Sequence, residues 1–269
     1  NPAEVGSRTA DSQRAIVAIV RRSILKVVIL GATSGIGQAI SRLMAIRGDN
    51  LYLLGRDSSK LELCARDLEA RSGKSILGYS LCDLEQPDGF AEALDAANSE
   101  LDGMDAVIVS AGIFDDQERL EADPDKTKKL LTVNFTNTIL FCEEARKRLL
   151  QNRGGILCVL SSVAGERGRK PVILYGAAKA GLSHYLEGLD YKYRRYGLKT
   201  LCAKPGFIHT PMTADLKPPP FAGKASLAAY DIVRSMDWEK SVVYTPFIWK
   251  WIMLVIRLLP RTIMRKINF

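Results

Sequence analysis

Histidine is almost absent from this 269-residue chain, with two in all, and cysteine is sparse, with five. His184 and His209 have no further histidine at metal-ligand spacing, and Cys64, Cys82, Cys142, Cys158 and Cys202 form no Cys-x-x-Cys pair. This pattern excludes a recognisable zinc motif and a disulfide framework, so no metal is expected, and the cysteines read as buried, reduced thiols in a cytosolic protein. Long apolar runs are missing too. Residues 15–20 are too short for a signal-peptide core, and residues 247–259 fall well short of the ~20 needed to span a bilayer. There is no internal repeat or low-complexity stretch, and no acidic side chain follows Glu239.

What is abundant is apolar sequence, 47% of residues, in short runs that alternate with helical periodicity. Strands are predicted near 26–30, 50–54, 75–81, 105–110, 155–161, 198–204 and 241–244. Helices fit 35–47, 58–71, 86–101, 125–151, 175–196 and 224–235. Such alternation predicts an α/β fold of the Rossmann type, a doubly wound, seven-stranded parallel sheet with helices on both faces and ligands at the carboxyl ends of the strands. One domain is expected over 23–246, with a substrate lid at 207–224. Residues 1–22 read as an extension or an upstream start, and 247–269 as a basic amphipathic segment.

The first strand, Lys-Val-Val-Ile-Leu, runs into Gly31-Ala-Thr-Ser-Gly35-Ile-Gly37 and then a helix. Glycines at a strand-to-helix turn let backbone approach a pyrophosphate, which the free N–H groups of the helix then receive. Far along the chain, Tyr175 and Lys179 are four apart, on one face of a helix, and Ser162 ends an apolar run upstream. An ammonium beside a phenol of reference pKa near ~10 favours the phenolate, which suits general acid–base work. Taken alone, Tyr-x3-Lys is common by chance and reads as two surface side chains on an amphipathic helix.

Glycine turn and Tyr-Lys pair together resemble the short-chain dehydrogenase/reductase family, over roughly residues 26–243. The resemblance implies that Ser162, Tyr175 and Lys179 are catalytic and that Asn134, in Thr-Val-Asn-Phe, supports a water relay to the lysine. It makes Gly31, Thr33, Ser34, Gly35, Ile36 and Gly37 the cofactor turn, with Leu30 where Thr is usual. Asp83 and Leu84 would border the adenine, Ala111 and Gly112 the adenosine ribose, and Pro205, Gly206, Ile208 and Thr210 the nicotinamide carboxamide. Tyr175 and Lys179 would also touch the cofactor. Ser110 stands where the family commonly has Asn, which puts the side-chain hydrogen bonds of that strand end in doubt. A homodimer or homotetramer through the helices near 125–151 and 175–196 is implied as well.

Cofactor choice turns on Gly55-Arg56-Asp57. Where NAD-using relatives carry a carboxylate this chain has Gly55, and the Arg56 guanidinium would fork onto a 2′-phosphate, favouring NADP over NAD. Asp57 as a ribose ligand would reverse that preference, and pairing of Arg56 with Asp57 would make it merely structural.

Lys240, Lys250, Arg257, Arg261, Arg265 and Lys266 supply six of the net charge of +8. With Trp249 and Trp251 among them, the segment fits an interfacial helix on an anionic membrane, kinked or broken at Pro260. A terminal helix packed on the sheet or on a partner subunit is the alternative. The stretch Pro218-Pro-Pro220 favours a stiff, extended lid. Lid and tail resemble the decaprenylphosphoryl-2-keto-ribose reductase-like branch, which reduces a keto-sugar on a polyprenyl phosphate. The chain is therefore expected to be an NADP(H)-dependent carbonyl reductase acting on a lipid-linked substrate, cytoplasmic and peripheral on the inner face of the membrane, with no nucleic-acid partner. A reductase of a free lipid ketone (3-ketoacyl, steroid or retinoid) is the alternative within the enzymes, and a non-catalytic dinucleotide-binding redox sensor the alternative outside them.

Overall fold

The computed structural model describes residues 24–267, so the extension expected at 1–22 lies outside the described residues. The Val-, Ile- and Leu-rich runs form β1 (Lys26–Leu30), β2 (Asn50–Gly55), β3 (Gly78–Leu81), β4 (Ala106–Val109), β5 (Gly155–Leu160), β6 (Leu198–Pro205) and β7 (Val242–Thr245). They make one parallel sheet in the order β3-β2-β1-β4-β5-β6-β7. Leu30, the last residue of β1, pairs with both Leu54 and Val109, so the strand order reverses there and a crevice opens at the carboxyl ends.

Alternate residues of the central strands enter opposite cores. Val28 and Leu30 join Phe90, Phe141, Leu182 and Leu186 on one face. Val27 and Ile29 join Ile40, Met44, Leu61 and Ile232 on the other. Burying a side chain of this size stabilises by about 1.5–3 kcal/mol, which holds the flanking helices in place. One face carries α1 (Gly35–Arg47), α2 (Ser58–Ser72) and α8 (Ala225–Asp237), and the other α3 (Phe90–Glu100), α6 (Asn137–Gln151) and α7 (Ile173–Tyr193). Two shorter helices, α4 (Gln117–Ala122) and α5 (Pro124–Leu131), precede α6.

Several boundaries differ from the sequence-based expectation. The third strand begins at Gly78 rather than 75, although the Leu77 N–H already reaches the Leu51 carbonyl at 3.1 Å. Residues 86–101 open with a tight turn at Pro87–Gly89, since proline lacks the N–H an inner helical turn needs. The helix expected over 125–151 is two helices joined by a π-helical turn, Thr132–Thr136, in which the Thr138 hydroxyl donates to the Val133 carbonyl at 2.7 Å. The α4 helix was not foreseen.

The lid contains no long helix. Ile208–His209 pairs in parallel with Gly223–Lys224, and a short turn at Pro211–Thr213 lies between them. After β7 come α9 (Ile248–Leu258) and α10 (Arg261–Met264), separated at Pro260. The tail has two faces. Trp249, Met253 and Ile256 are buried against Val163, Phe207 and Tyr244, whereas Trp251, Leu254, Val255 and Leu258 stand exposed. Among the described residues no helix is long and apolar enough to cross a membrane.

Candidate active site

The glycine turn is shaped by contacts that a side chain would destroy. Gly31 has φ +87°, and a Cβ there would lie 2.6 Å from the Ala111 nitrogen. A Cβ on Gly37 would lie 2.2 Å from the Gly31 carbonyl oxygen and 2.9 Å from the Ser110 hydroxyl. Gly37 lines neither cavity described below; it acts from beneath, by letting α1 approach the end of β1 closely. Ser34 caps α1 with no side-chain hydrogen bond, so the first-turn N–H groups of a 13-residue helix remain available to an anion in the crevice.

Two adjoining cavities share Gly31, Ser34, Ala111, Gly112 and Ile113. The first, about 170 Å³, is also lined by Gly35, Ile36, Asn134, Ser162, Tyr175, Lys179, Pro205, Gly206, Ile208 and Thr210. The second, about 130 Å³, adds Thr33, Gly55, Arg56, Asp83 and Leu84. The structure thus gathers the site residues singled out in the sequence onto one cleft, except Gly37 and the alternative ribose ligand Asp57, which line neither cavity. It adds Ile113 and Met212 to the first cavity and Glu85 and Val133 to the second. Phe114, which the sequence did not flag, packs edge-on against Tyr175 at 5.2 Å between ring centres.

Asn134 sits in the π-helical turn, fully buried, and braces the strand end where Ser110 replaces the family's Asn. Its carboxamide bonds both backbone groups of Ile113, at 2.8 and 2.7 Å. Ser161 and Ser162 divide their work. Ser161 Oγ donates to the Lys179 carbonyl at 2.9 Å and meets Ser183 at 2.7 Å, which is structural. Ser162 Oγ accepts from the Ala164 N–H at 3.0 Å and lies 3.5 Å from the Pro205 carbonyl, at the cleft wall.

Electrostatically the site differs from the simplest expectation. Burial pushes the Tyr175 phenol up to about 12, opposed by its hydrogen bond to Ser162. Burial also depresses Lys179, to about 8. The Lys179 ammonium donates to the Leu160 carbonyl at 2.9 Å and lies 5.8 Å from the centre of the Tyr175 ring. Desolvation is therefore the dominant influence on Tyr175, and the phenol keeps its proton at neutral pH.

At the other end, Asp57 is committed to helix capping. Its Oδ1 accepts from the Lys60 N–H at 3.0 Å, and that bond is the main influence holding its carboxyl below the usual range. Arg56 is largely exposed, with Glu85 at 3.9 Å.

A glycine cradle that a Cβ would fill, beside free helix N–H groups and a half-buried Tyr175 set among buried Ser162, Lys179 and Asn134, fits a nicotinamide dinucleotide. Comparison with known proteins agrees with this geometry. The sequence model of the short chain dehydrogenase family matches residues 25–220. Carbonyl reductase family member 4 of Xenopus tropicalis is 29% identical over 189 residues, 70% of this chain and 78% of that protein. The 3-oxoacyl-[acyl-carrier-protein] reductase of Homo sapiens is 28% identical over 189 residues, with the same coverage. In fold, the chain is similar to a short-chain type dehydrogenase/reductase from Mycobacterium ulcerans, with TM-score 0.73, 20% identity and coverage of 83% and 89% of the two chains. It is likewise similar to levodione reductase, with TM-score 0.74, 22% identity and coverage of 83% and 97%.

Proposed function

The chain belongs to the short chain dehydrogenase family of oxidoreductases, and from that premise we propose that it reduces a ketone with NADPH, the ketone being a keto-sugar carried on a polyprenyl phosphate and met at a membrane surface. The observation that carries the reductase reading is the convergence of Ser162, Tyr175, Lys179 and Asn134 on one cleft. NADPH, when bound, supplies the hydride.

Tyr175 holds at its Oη the proton that the carbonyl oxygen will take, and a phenol raised to about 12 retains it through neutral pH. Ser162 lines the same cleft and would share the substrate oxygen with that phenol. Lys179 would hold the nicotinamide ribose, and Asn134 keeps the Gly112-Ile113 backbone fixed beside it. The first-turn N–H groups of α1 would receive the pyrophosphate. Arg56 is the group suited to the 2′-phosphate, and the engagement of Asp57 Oδ1 in the helix cap supports NADP over NAD.

Support for the membrane surface comes from the outer side of the tail. Phe247, Trp251, Leu254, Val255 and Leu258 are exposed there, interleaved with Lys250 and followed by Arg261. This is the basis for a cytoplasmic protein peripheral on the membrane. The rival, reduction of a free lipid ketone, draws on the name of the human 3-oxoacyl relative. An intact Asn134, Ser162, Tyr175 and Lys179 favours catalysis over a silent redox sensor.

Turnover of NADPH against lipid-linked keto-sugars and free 3-ketoacyl, steroid and retinoid ketones, each presented in anionic vesicles, separates these readings. The proposal expects the lipid-linked keto-sugar to be reduced most efficiently. A free ketone reduced with higher kcat/KM would establish the rival.

A further inference from the structure

Apart from the dinucleotide cleft, a second concavity is rich in one kind of charge. The loop that joins Ser162 to Tyr175 faces the C-terminal α10 across a cavity of about 410 Å³, lined by Arg167, Gly168, Lys170, Arg261, Met264 and Arg265. Four of its six walls are cationic, and none is acidic. The loop's own acid, Glu166, is already neutralised on its other side by Lys204 and by Arg257 at 3.2 Å. Among the described residues, Arg167, Arg261 and Arg265 form no ion pair with a carboxylate.

One of these cations is held in place. Arg167 Nη2 donates to the Leu259 carbonyl at 3.0 Å, tying the loop to the residue before Pro260. Arg261 and Arg265 are one helical turn apart, the Arg265 N–H bonding the Arg261 carbonyl at 3.0 Å, so their side chains leave the same face. Like charges at that spacing repel, and an anion between them reverses the sign of the interaction. Guanidinium forks suit the tetrahedral oxygens of a phosphate better than a single carboxylate, because several parallel N–H bonds form at once. Leu258 and Ile263, on the same segment, are exposed apolar side chains, so a chain attached to that phosphate has a surface to follow.

We propose that this cavity is a phosphate-binding subsite, taking the phosphate mono- or diester group of an anionic amphiphile. The phosphate is carried either by a lipid headgroup in the bilayer or by a freely diffusing phosphate compound. The subsite goes beyond the reductase reading and does not depend on which ketone is reduced.

The full-length chain is titrated with phosphatidylcholine vesicles with and without phosphatidic acid, and separately with inorganic phosphate. The Lys170→Gln/Arg261→Gln/Arg265→Gln variant is compared with a control, Lys128→Gln/Lys192→Gln/Arg195→Gln, that removes the same charge from distant exposed positions. Thermal unfolding of both variants establishes that they are folded. The subsite variant is expected to lose about a hundredfold in affinity, and the control less than about threefold. Binding to phosphatidic acid vesicles alone identifies a headgroup as the source, and inorganic phosphate that binds and is lost in the same variant identifies a free phosphate. Equal losses in both variants would show a diffuse effect of net charge and overturn the proposal, as would wild-type protein that binds neither probe. No ketone enters these measurements, so they succeed or fail separately from the reductase assignment.

Discussion

Asn134 clasps the main chain of Ile113 from both sides: its Oδ1 accepts from the Ile113 N–H at 2.8 Å and its Nδ2 donates to the Ile113 carbonyl at 2.7 Å. The pairing satisfies both backbone groups just beyond Gly112, at a strand end where Ser110 offers only a short hydroxyl. Asn134→Ala leaves two partly buried groups without partners. Urea unfolding should show a loss of about 1–3 kcal/mol, and turnover should fall with it because the cleft wall loosens. A variant with unchanged midpoint and slope would show that water replaces the clasp.

The proposed preference for NADPH is tested at Arg56. With Asp57 engaged in the cap of α2, Arg56→Ala should weaken NADPH binding by about one to two powers of ten while changing NADH binding little, since only NADPH carries the 2′-phosphate. Equal losses for both nucleotides, measured by fluorescence titration, would mark Arg56 as structural through its contact with Glu85.

Lys179 links the site to stability. Its pKa is about 8 in the folded chain against the ordinary 10.5, because burial penalises the charged form. Between those values the unfolded chain binds more protons than the folded one, so this residue makes stability rise with pH from about 8 to about 10.5, by up to roughly 3 kcal/mol over the window. Lys179→Met should remove that slope. Chemical denaturation of both proteins at several pH values checks it; identical slopes would mean that the ammonium is better solvated than its surroundings imply.

The two faces of α9 should behave oppositely. Trp249 is 8% exposed and fills the space beside Gly206, where a Cβ would meet its indole nitrogen at 2.2 Å; it also donates to the Phe221 carbonyl at 3.3 Å. Trp249→Ala should cost about 3–5 kcal/mol. Trp251 and Leu258 are 51% and 76% exposed, so Trp251→Ser/Leu258→Ser should leave stability within about 0.5 kcal/mol. The same double variant should nonetheless release the protein from anionic vesicles in a flotation assay. Retention on vesicles would locate the contact elsewhere.

How much of this was legible beforehand follows from the range of the interactions involved. Strand β1 and the turn after it declare themselves because burial on both faces demands an unbroken apolar run and close backbone packing demands glycine. Tyr175 and Lys179 are legible as a pair through helical spacing. The π-helical turn around Asn134 is not, because the local periodicity there is that of an ordinary helix and the bulge is fixed by contacts with Ile113, 21 residues away. Trp249 and Trp251 are equivalent by composition, and only the positions of Gly206 and Val163 decide which is buried. The capping bond of Asp57 likewise depends on where α2 begins, which the sequence places only to within a residue or two. The basic cavity has no local signature, because its two walls, near 167–170 and 261–265, are almost a hundred positions apart and meet only in three dimensions.

The proposed reduction stands on Tyr175 delivering the proton that accompanies hydride transfer. Its most direct test is single-turnover oxidation of bound NADPH by a reducible ketone, followed by absorbance, in wild type and in Tyr175→Phe, with NADPH affinity measured alongside. The rate should fall by at least about a hundredfold while NADPH binds within about threefold of wild type, since only the transferable proton is removed. A variant that keeps more than a few per cent of the wild-type rate would contradict it, because another group would then be protonating the substrate.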